Sequence, residues 1–204
     1  MAYNFESIIA KFDIKGKLIS CERYGEGHIN ETYLAKVKDG EEVLYILQKI
    51  NNKVFKDVDK LMNNITLVTE FNRQRITANG GNPDRESLSL VYTLDGKSYA
   101  KVEDGFFRVY KFITNAIAYQ TITNPKHFYS SAVAFGNFAN LLAEFDASKL
   151  FEVIPNFHNT RKRFNDFEES LKLDKFDRVK EVKAEIDFVL ARKDYCGKIG
   201  RAHV

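Results

Sequence analysis

Apolar residues in the first third of the chain recur with two different spacings. A short helix is predicted over residues 4–13, with four apolar side chains available for packing: Phe5, Ile8, Ile9 and Phe12. Three strands are predicted between Arg23 and Ile50, separated by a glycine turn and by the hairpin dipeptide Asp39-Gly40. A long amphipathic helix is predicted over residues 51–79, with apolar residues at steps of four and three: Val54, Val58, Leu61, Ile65 and Val68. The run Asn79-Gly-Gly-Asn-Pro83 predicts the end of that helix, because glycine readily adopts left-handed backbone angles.

The rest of the chain predicts more strands and then helices. Two or three strands are predicted in segments joined by Asp-Gly turns: 87–94, 98–102 and 106–113. Asn124-Pro125 predicts a helix start, and an apolar stripe that we expect to be core follows it: Phe128, Ala132, Phe135, Ala139, Leu142 and Phe145. A last helix is predicted over residues 174–192. The order of elements predicts an α+β fold with an antiparallel five-stranded sheet, one long helix on the sheet and a mainly helical second part.

The glycine turn and the third strand suggest a nucleotide site. Gly25 and Gly27 allow close approach of the backbone to a ligand. Side chains alternate along a strand, so that Tyr45, Leu47 and Lys49 share one face. A kinase-type site uses this arrangement, in which the lysine binds phosphates and the apolar row touches the base. The pattern alone also fits a ligand-free hairpin with a solvated lysine.

Four segments in the same order resemble one family. They are Gly-His-Ile-Asn-Glu-Thr-Tyr (27–33), Leu-Gln-Lys-Ile-Asn (47–51) with Val54-Phe55, Arg-Val-Tyr-Lys-Phe-Ile (108–113) and Phe-His-Asn-Thr-Arg (157–161). Together they resemble the aminoglycoside phosphotransferase and choline kinase-like family, and most closely its N-acetylhexosamine 1-kinase branch. The resemblance implies a protein-kinase-like fold and phosphorylation of a small hydroxylated substrate, such as a sugar, with ATP and Mg²⁺ as cofactors. Kinases of the same fold that act on choline, an aminoglycoside or homoserine are alternatives.

The resemblance also implies candidate site residues. The residues implied in nucleotide binding are Gly25, Gly27, His28, Asn30, Thr32, Leu47, Lys49, Glu70, Tyr110, Lys111, Phe112 and Ile113. The segment that approaches the acceptor sugar comprises His158, Asn159, Thr160 and Arg161. Glu70 is the candidate partner of Lys49, although it lies opposite the apolar stripe of its helix, which fits a solvated glutamate better.

The catalytic loop of the family is missing from the sequence. That loop reads His-x-Asp-x-x-x-x-Asn, and none of the four histidines has an aspartate two residues later. We therefore assign no catalytic base and no metal ligand. The last six residues, Ile-Gly-Arg-Ala-His-Val (199–204), correspond to one reading frame of a common sequencing adapter. We expect a truncated kinase with a nucleotide-binding lobe (1–113), a partial helical lobe (114–198) and a non-native tail. A naturally short, non-catalytic nucleotide-binding module is the alternative.

Composition excludes several other classes of function. A net charge of +3, with acidic and basic residues interspersed, gives no indication of nucleic-acid binding. No apolar run approaches the roughly 20 residues of a membrane span, and the start of the chain lacks the pattern of a signal peptide. Cys21 and Cys196 fit no metal-binding spacing, so two free thiols in a cytoplasmic protein are expected.

Overall fold

The computed structural model describes residues 3–103, 105–117, 119, 121–122 and 124–197. The elements in chain order are α1 (Phe5–Ile9), β1 (Lys17–Arg23), β2 (Glu31–Asp39), β3 (Glu41–Ile50), α2 (Val58–Ala78), α3 (Pro83–Glu86), β4 (Leu90–Val91), β5 (Ala100–Val102), β6 (Gly105–Lys111), α4 (Pro125–Leu141), α5 (Thr160–Leu173), α6 (Lys183–Leu190) and α7 (Lys193–Cys196), with 3-10 turns at Ala147–Lys149 and Val179–Glu181. The chain divides into two units, the first reaching Val153 and the second starting at Ile154. The lobe boundary at residue 113 stays a prediction, and the proposed tail 199–204 lies outside the described residues.

The predicted α+β class with an antiparallel sheet is confirmed. The described strands form one six-stranded sheet in the order β1-β2-β3-β6-β4, and β5 also pairs with β6. The predicted number of five strands is wrong, because the segments around residues 90 and 100 each form a short strand against a different part of β6. Leu90 is opposite Tyr110, whereas Ala100 is opposite Phe107.

Helix α1 packs against the sheet but ends at Ile9, so the predicted helix over residues 4–13 is too long, although Ile8, Ile9 and Phe12 are buried as expected. Asn4 caps it by accepting a hydrogen bond from the backbone N–H of Ser7 at 3.0 Å. The buried residues of this core come from the helix region and the central strands: Ile8, Ile9, Phe12, Ala35, Val37, Leu47, Val91, Ala100, Phe107 and Val109. This packing places the amino-terminal segment against β2, β3 and β6.

Helix α2 contributes to a second core together with the end of β3. Ile50, Val58, Leu61 and Met62 form its buried centre. The predicted start of the helix at residue 51 is wrong. The Asn51 side chain instead accepts a hydrogen bond from the N–H of Lys53 at 3.1 Å, forming a turn. The helix begins after Asp57, whose carboxylate accepts from the N–H of Lys60 at 3.0 Å, and it ends at Asn79 as predicted.

Helix α4 begins where the sequence predicts but is not covered. Asn124 accepts a hydrogen bond from the N–H of Lys126 at 3.0 Å, and Pro125 occupies the first turn. The prediction that the apolar stripe is core is wrong at Phe128, which is 64% exposed, and at Phe135, which is 74% exposed. Leu142 and Phe145 at the end of the stripe are half-buried, and the Phe145 ring packs against Phe71. Helical spacing reveals an apolar face, but it does not tell whether another element covers that face.

The second unit contains α5, α6 and α7. The predicted helix 174–192 is wrong in its first half, because α6 begins only at Lys183. Asp174 ends α5 with a left-handed φ of 33°, and its carboxylate accepts hydrogen bonds from two following backbone N–H groups. Short polar side chains compete in this way with helix continuation. Phe164 is the buried residue of α5.

Both cysteines are free thiols, as the sequence predicts. Burial raises the pKa of the Cys21 thiol to about 12, so this thiol is protonated at neutral pH. No helix in the described part of the chain is long and apolar enough to cross a membrane.

Candidate functional site

A cavity of about 500 Å³ opens where β6 leaves the sheet. Its size falls within the range of small-molecule pockets, about 300–1,000 Å³. The lining residues come from the β1–β2 turn, β3, β6 and the segments around them: Tyr24, Ile46, Gln48, Leu88, Arg108, Tyr110, Lys111, Phe112, Ile113, Ala116 and Ile117. The wall is mainly apolar, with few polar side chains facing inward.

Three polar side chains lie across adjacent strands on the face that lines the cavity. Thr32 is opposite Gln48 in the β2–β3 pairing, and Gln48 is opposite Arg108 in the β3–β6 pairing. The Gln48 amide nitrogen donates to the Thr32 hydroxyl at 2.9 Å. The Gln48 carbonyl oxygen accepts from Arg108 Nε at 3.1 Å and from Nη2 at 2.9 Å. The resulting Thr32–Gln48–Arg108 row orients a guanidinium group beside the cavity.

Arg108 is the buried charge of this site. It is only 8% exposed, and burial lowers the pKa of its guanidinium group. Its Nη1 lies 3.7 Å from the Met62 sulfur, and its guanidinium lies 5.3 Å from the centre of the Tyr110 ring. The hydrogen-bond acceptors around Arg108 in the described part of the chain are Gln48 and Met62, and no carboxylate contributes to the shift of its pKa. The positive charge is therefore held by a neutral amide, a thioether and an aromatic ring.

An aromatic pair and a backbone edge lie near the mouth of the cavity. The Tyr24 and Phe112 rings meet edge to face with their centres 5.7 Å apart. The N–H of Phe112 donates to the Leu44 carbonyl at 3.1 Å. Ile113 lines the cavity, and no described residue accepts a hydrogen bond from its N–H. A flat heteroaromatic ring with an acceptor on its edge suits this combination.

The glycine turn between β1 and β2 contains several of the residues predicted to bind the nucleotide. Gly25 has a left-handed φ of 70°, which favours glycine over other residues. Arg23 Nη2 donates to the Gly27 carbonyl at 3.5 Å across the turn. His28 is exposed, and the Asn30 side chain accepts a hydrogen bond from a backbone N–H at the end of β3 at 3.0 Å. Of the residues predicted here, Thr32 is the one that joins the polar row of the cavity.

Leu47 and Lys49 lie on the opposite face of β3 from Gln48, because strand side chains alternate. Leu47 is 0% exposed in the core beneath α1. Lys49 Nζ donates to the Tyr3 hydroxyl at 2.8 Å and lies 3.9 Å from a Glu31 carboxylate oxygen. The structure therefore does not bring these two residues to the cavity, and a phosphate role for Lys49 stays a prediction without geometric support.

The remaining nucleotide-site candidates divide into two groups. Tyr110, Lys111, Phe112 and Ile113 all line the cavity. Glu70 is exposed on α2, where it accepts a hydrogen bond from the Tyr92 hydroxyl at 2.5 Å. The structure does not pair Glu70 with Lys49, which agrees with the phase of Glu70 on its helix.

The four acceptor-site candidates belong to the second unit. The His158 ring packs against Phe157, with the ring centres 4.8 Å apart. Asn159 caps α5 by accepting from the N–H of Lys162 at 2.9 Å, and Thr160 is the first residue of that helix. Arg161 is exposed. Helix capping accounts for the Asn159 side chain, so a role in sugar binding stays a prediction.

No model of a known protein family matches the chain. Within the described residues, no group of three or more His, Cys, Asp or Glu side chains is arranged to hold a metal ion. The Mg²⁺ that the resemblance implies therefore has no cluster of such ligands in this part of the chain.

The sequence pattern did not point to seven of the lining residues: Tyr24, Ile46, Gln48, Leu88, Arg108, Ala116 and Ile117. One signal could have identified Arg108, because it is a charged residue that shares a face of a predicted strand with the aromatic residues Phe106 and Tyr110. A charge in the interior of a sheet needs a partner or a ligand.

Proposed function

We propose that this chain binds the nucleotide of an ATP-dependent phosphotransferase that acts on a small hydroxylated substrate. The cavity between the glycine turn and the end of β6 is the observation that carries the proposal. It combines apolar walls for a base, a backbone N–H at Ile113 that no described residue accepts from, and a buried cation at Arg108. An N-acetylhexosamine is the acceptor that the resemblance favours.

The sheet topology supports the same proposal. The strand order β1-β2-β3-β6, with a long helix between β3 and the later strands, is the arrangement expected for the nucleotide-binding lobe of a protein-kinase-like fold. The chain then leaves β6 directly at the cavity. A base would lie against the segment 110–113, as the resemblance implies.

A non-catalytic nucleotide-binding module is the second candidate function. Phosphoryl transfer uses a positioned carboxylate at the acceptor hydroxyl, and residues 1–204 contain no His-x-Asp pair that would supply it, whereas nucleotide binding alone does not require one. Both candidates share the nucleotide site. We expect the 204-residue chain to bind ATP but to transfer no phosphate to N-acetylhexosamines, choline, aminoglycosides or homoserine. Steady product formation would show that a catalytic base is present.

Substitution of Ala116 by tryptophan is expected to weaken ATP binding. Ala116 is an exposed residue of the cavity lining, so a large ring there fills the mouth without disturbing a core. We expect a loss of affinity of at least about tenfold, comparable to the loss of one good contact. Isothermal titration calorimetry with ATP measures it directly.

The matched control is Ala78→Trp, which places the same ring at an exposed residue of α2 outside the cavity lining. This control should bind ATP like the wild type. Equal ATP affinity of Ala116→Trp and the wild type would contradict the proposed location of the nucleotide.

A further inference from the structure

Arg108 has more hydrogen-bond donors than the described residues occupy. A guanidinium group carries five N–H donors. The described residues accept from Nε, Nη1 and Nη2 once each, and one of these acceptors is the weak Met62 sulfur. The described residues therefore leave two N–H groups of Arg108 without an acceptor, and Arg108 lines the cavity.

The burial of Arg108 is costly without an anion. Removing an ion from water carries a large desolvation penalty, which a hydrogen-bonded counter-charge can offset. The partners that the structure supplies are neutral, and burial already disfavours the charged state. If this position only had to fill the core, an uncharged side chain would do so without the desolvation penalty. These features are expected of a cation that binds an anionic ligand.

We propose that Arg108, held in orientation by Gln48, is the phosphate-binding cation of the cavity and contacts a phosphate group of the bound nucleoside triphosphate. The inference rests on the proposed function and assigns to Arg108 the role that the sequence suggested for Lys49. Gln48 accepts from Nε and Nη2 together, which fixes the plane of the guanidinium group. Charge-assisted hydrogen bonds from a fixed fork suit phosphate oxygens.

Two other cations are poorer candidates. Lys49 lies on the opposite face of the sheet and donates to Tyr3. Lys111 lines the cavity, but its side chain is 58% exposed and lies 4.0 Å from an Asp84 carboxylate oxygen. The interaction free energy with a phosphate is smaller for an exposed ammonium group in water than for a buried guanidinium group.

Calorimetry with adenosine, ATP and tripolyphosphate tests the assignment. We expect Arg108→Met to lower ATP affinity by about 10- to 100-fold, the typical loss for a hydrogen-bonded charged contact. Adenosine affinity should not change, because the base contacts lie elsewhere in the cavity. Tripolyphosphate should bind the wild type and not the variant. Arg108→Lys keeps the charge without the fork and should lose less ATP affinity than Arg108→Met.

The control is Arg163→Met, which makes the same chemical change at an exposed residue of α5 and should bind all three ligands like the wild type. Arg108→Met replaces a buried charge by an apolar chain, so it is expected to fold, and its thermal unfolding checks this.

The outcomes separate the two proposals. If Arg108→Met binds ATP like the wild type, or loses adenosine and ATP affinity equally, the phosphate role is overturned and Arg108 is structural. If the wild type binds adenosine as tightly as ATP, the phosphate role is also overturned while the base site stands. If the wild type binds neither ATP nor adenosine, the proposed function itself fails, and the assignment of Arg108 fails with it.

Discussion

Replacement of Phe107 by alanine is expected to lower the free energy of unfolding of the first unit by about 3–5 kcal/mol. Phe107 is 0% exposed and belongs to the core between α1 and the central strands. Its ring lies edge to face with Tyr3, with the centres 5.7 Å apart. The substitution removes the aromatic contact and leaves a cavity that the surrounding strands cannot close.

Urea unfolding followed by circular dichroism measures this loss. Phe135→Ala is the matched control, because the same ring is removed where it is 74% exposed. We expect the control to change the free energy of unfolding by less than about 0.5 kcal/mol, as surface substitutions usually do. Equal effects of the two substitutions would contradict the described core.

Substitution of Gln48 by leucine is expected to weaken ATP binding by about tenfold, whereas Lys49→Met should leave it unchanged. Leucine has a similar volume but cannot accept the two hydrogen bonds from Arg108. The guanidinium group would then be buried without its main partner and would lose its orientation. Lys49 donates to Tyr3 on the opposite face of the sheet, so its substitution should have little effect on ATP binding in the cavity.

Calorimetric titration with ATP compares the affinities of the Gln48→Leu and Lys49→Met variants, whose residues are consecutive in β3. The contrast is sharp because consecutive strand residues point to opposite faces. A larger loss of ATP affinity in Lys49→Met than in Gln48→Leu would restore the assignment suggested by the sequence and contradict the site described above.

The order of strands and helices could be predicted because local chemistry decides it. The Asp39-Gly40 turn lies between β2 and β3 as expected, and Asn124-Pro125 starts α4. The start of α2 could not be predicted by periodicity, since Val54 continues the apolar spacing although the Asn51 side chain forms a turn there. Side-chain capping overrides the spacing in that segment.

The sequence points to Leu47 and Lys49 on β3, whereas the cavity borders the opposite face of that strand, at Ile46 and Gln48. Both faces of β3 carry apolar residues, because α1 packs on one face and α2 packs near the end of the other. Alternation separates Leu47 from Gln48, but it does not show which of the two faces borders the cavity. That choice depends on contacts with Arg108, which lies sixty residues later in the chain.

A nuclear magnetic resonance titration with ATP is the most direct test of the central claim, that a nucleotide binds at the Gln48–Arg108 face of the sheet. Amide and side-chain signals of the ¹⁵N-labelled chain would be followed as ATP is added. We predict the largest shifts at Gln48, Arg108 and Ile113. No shift at these positions, or the largest shifts at Lys49 and Tyr3 instead, would contradict the account.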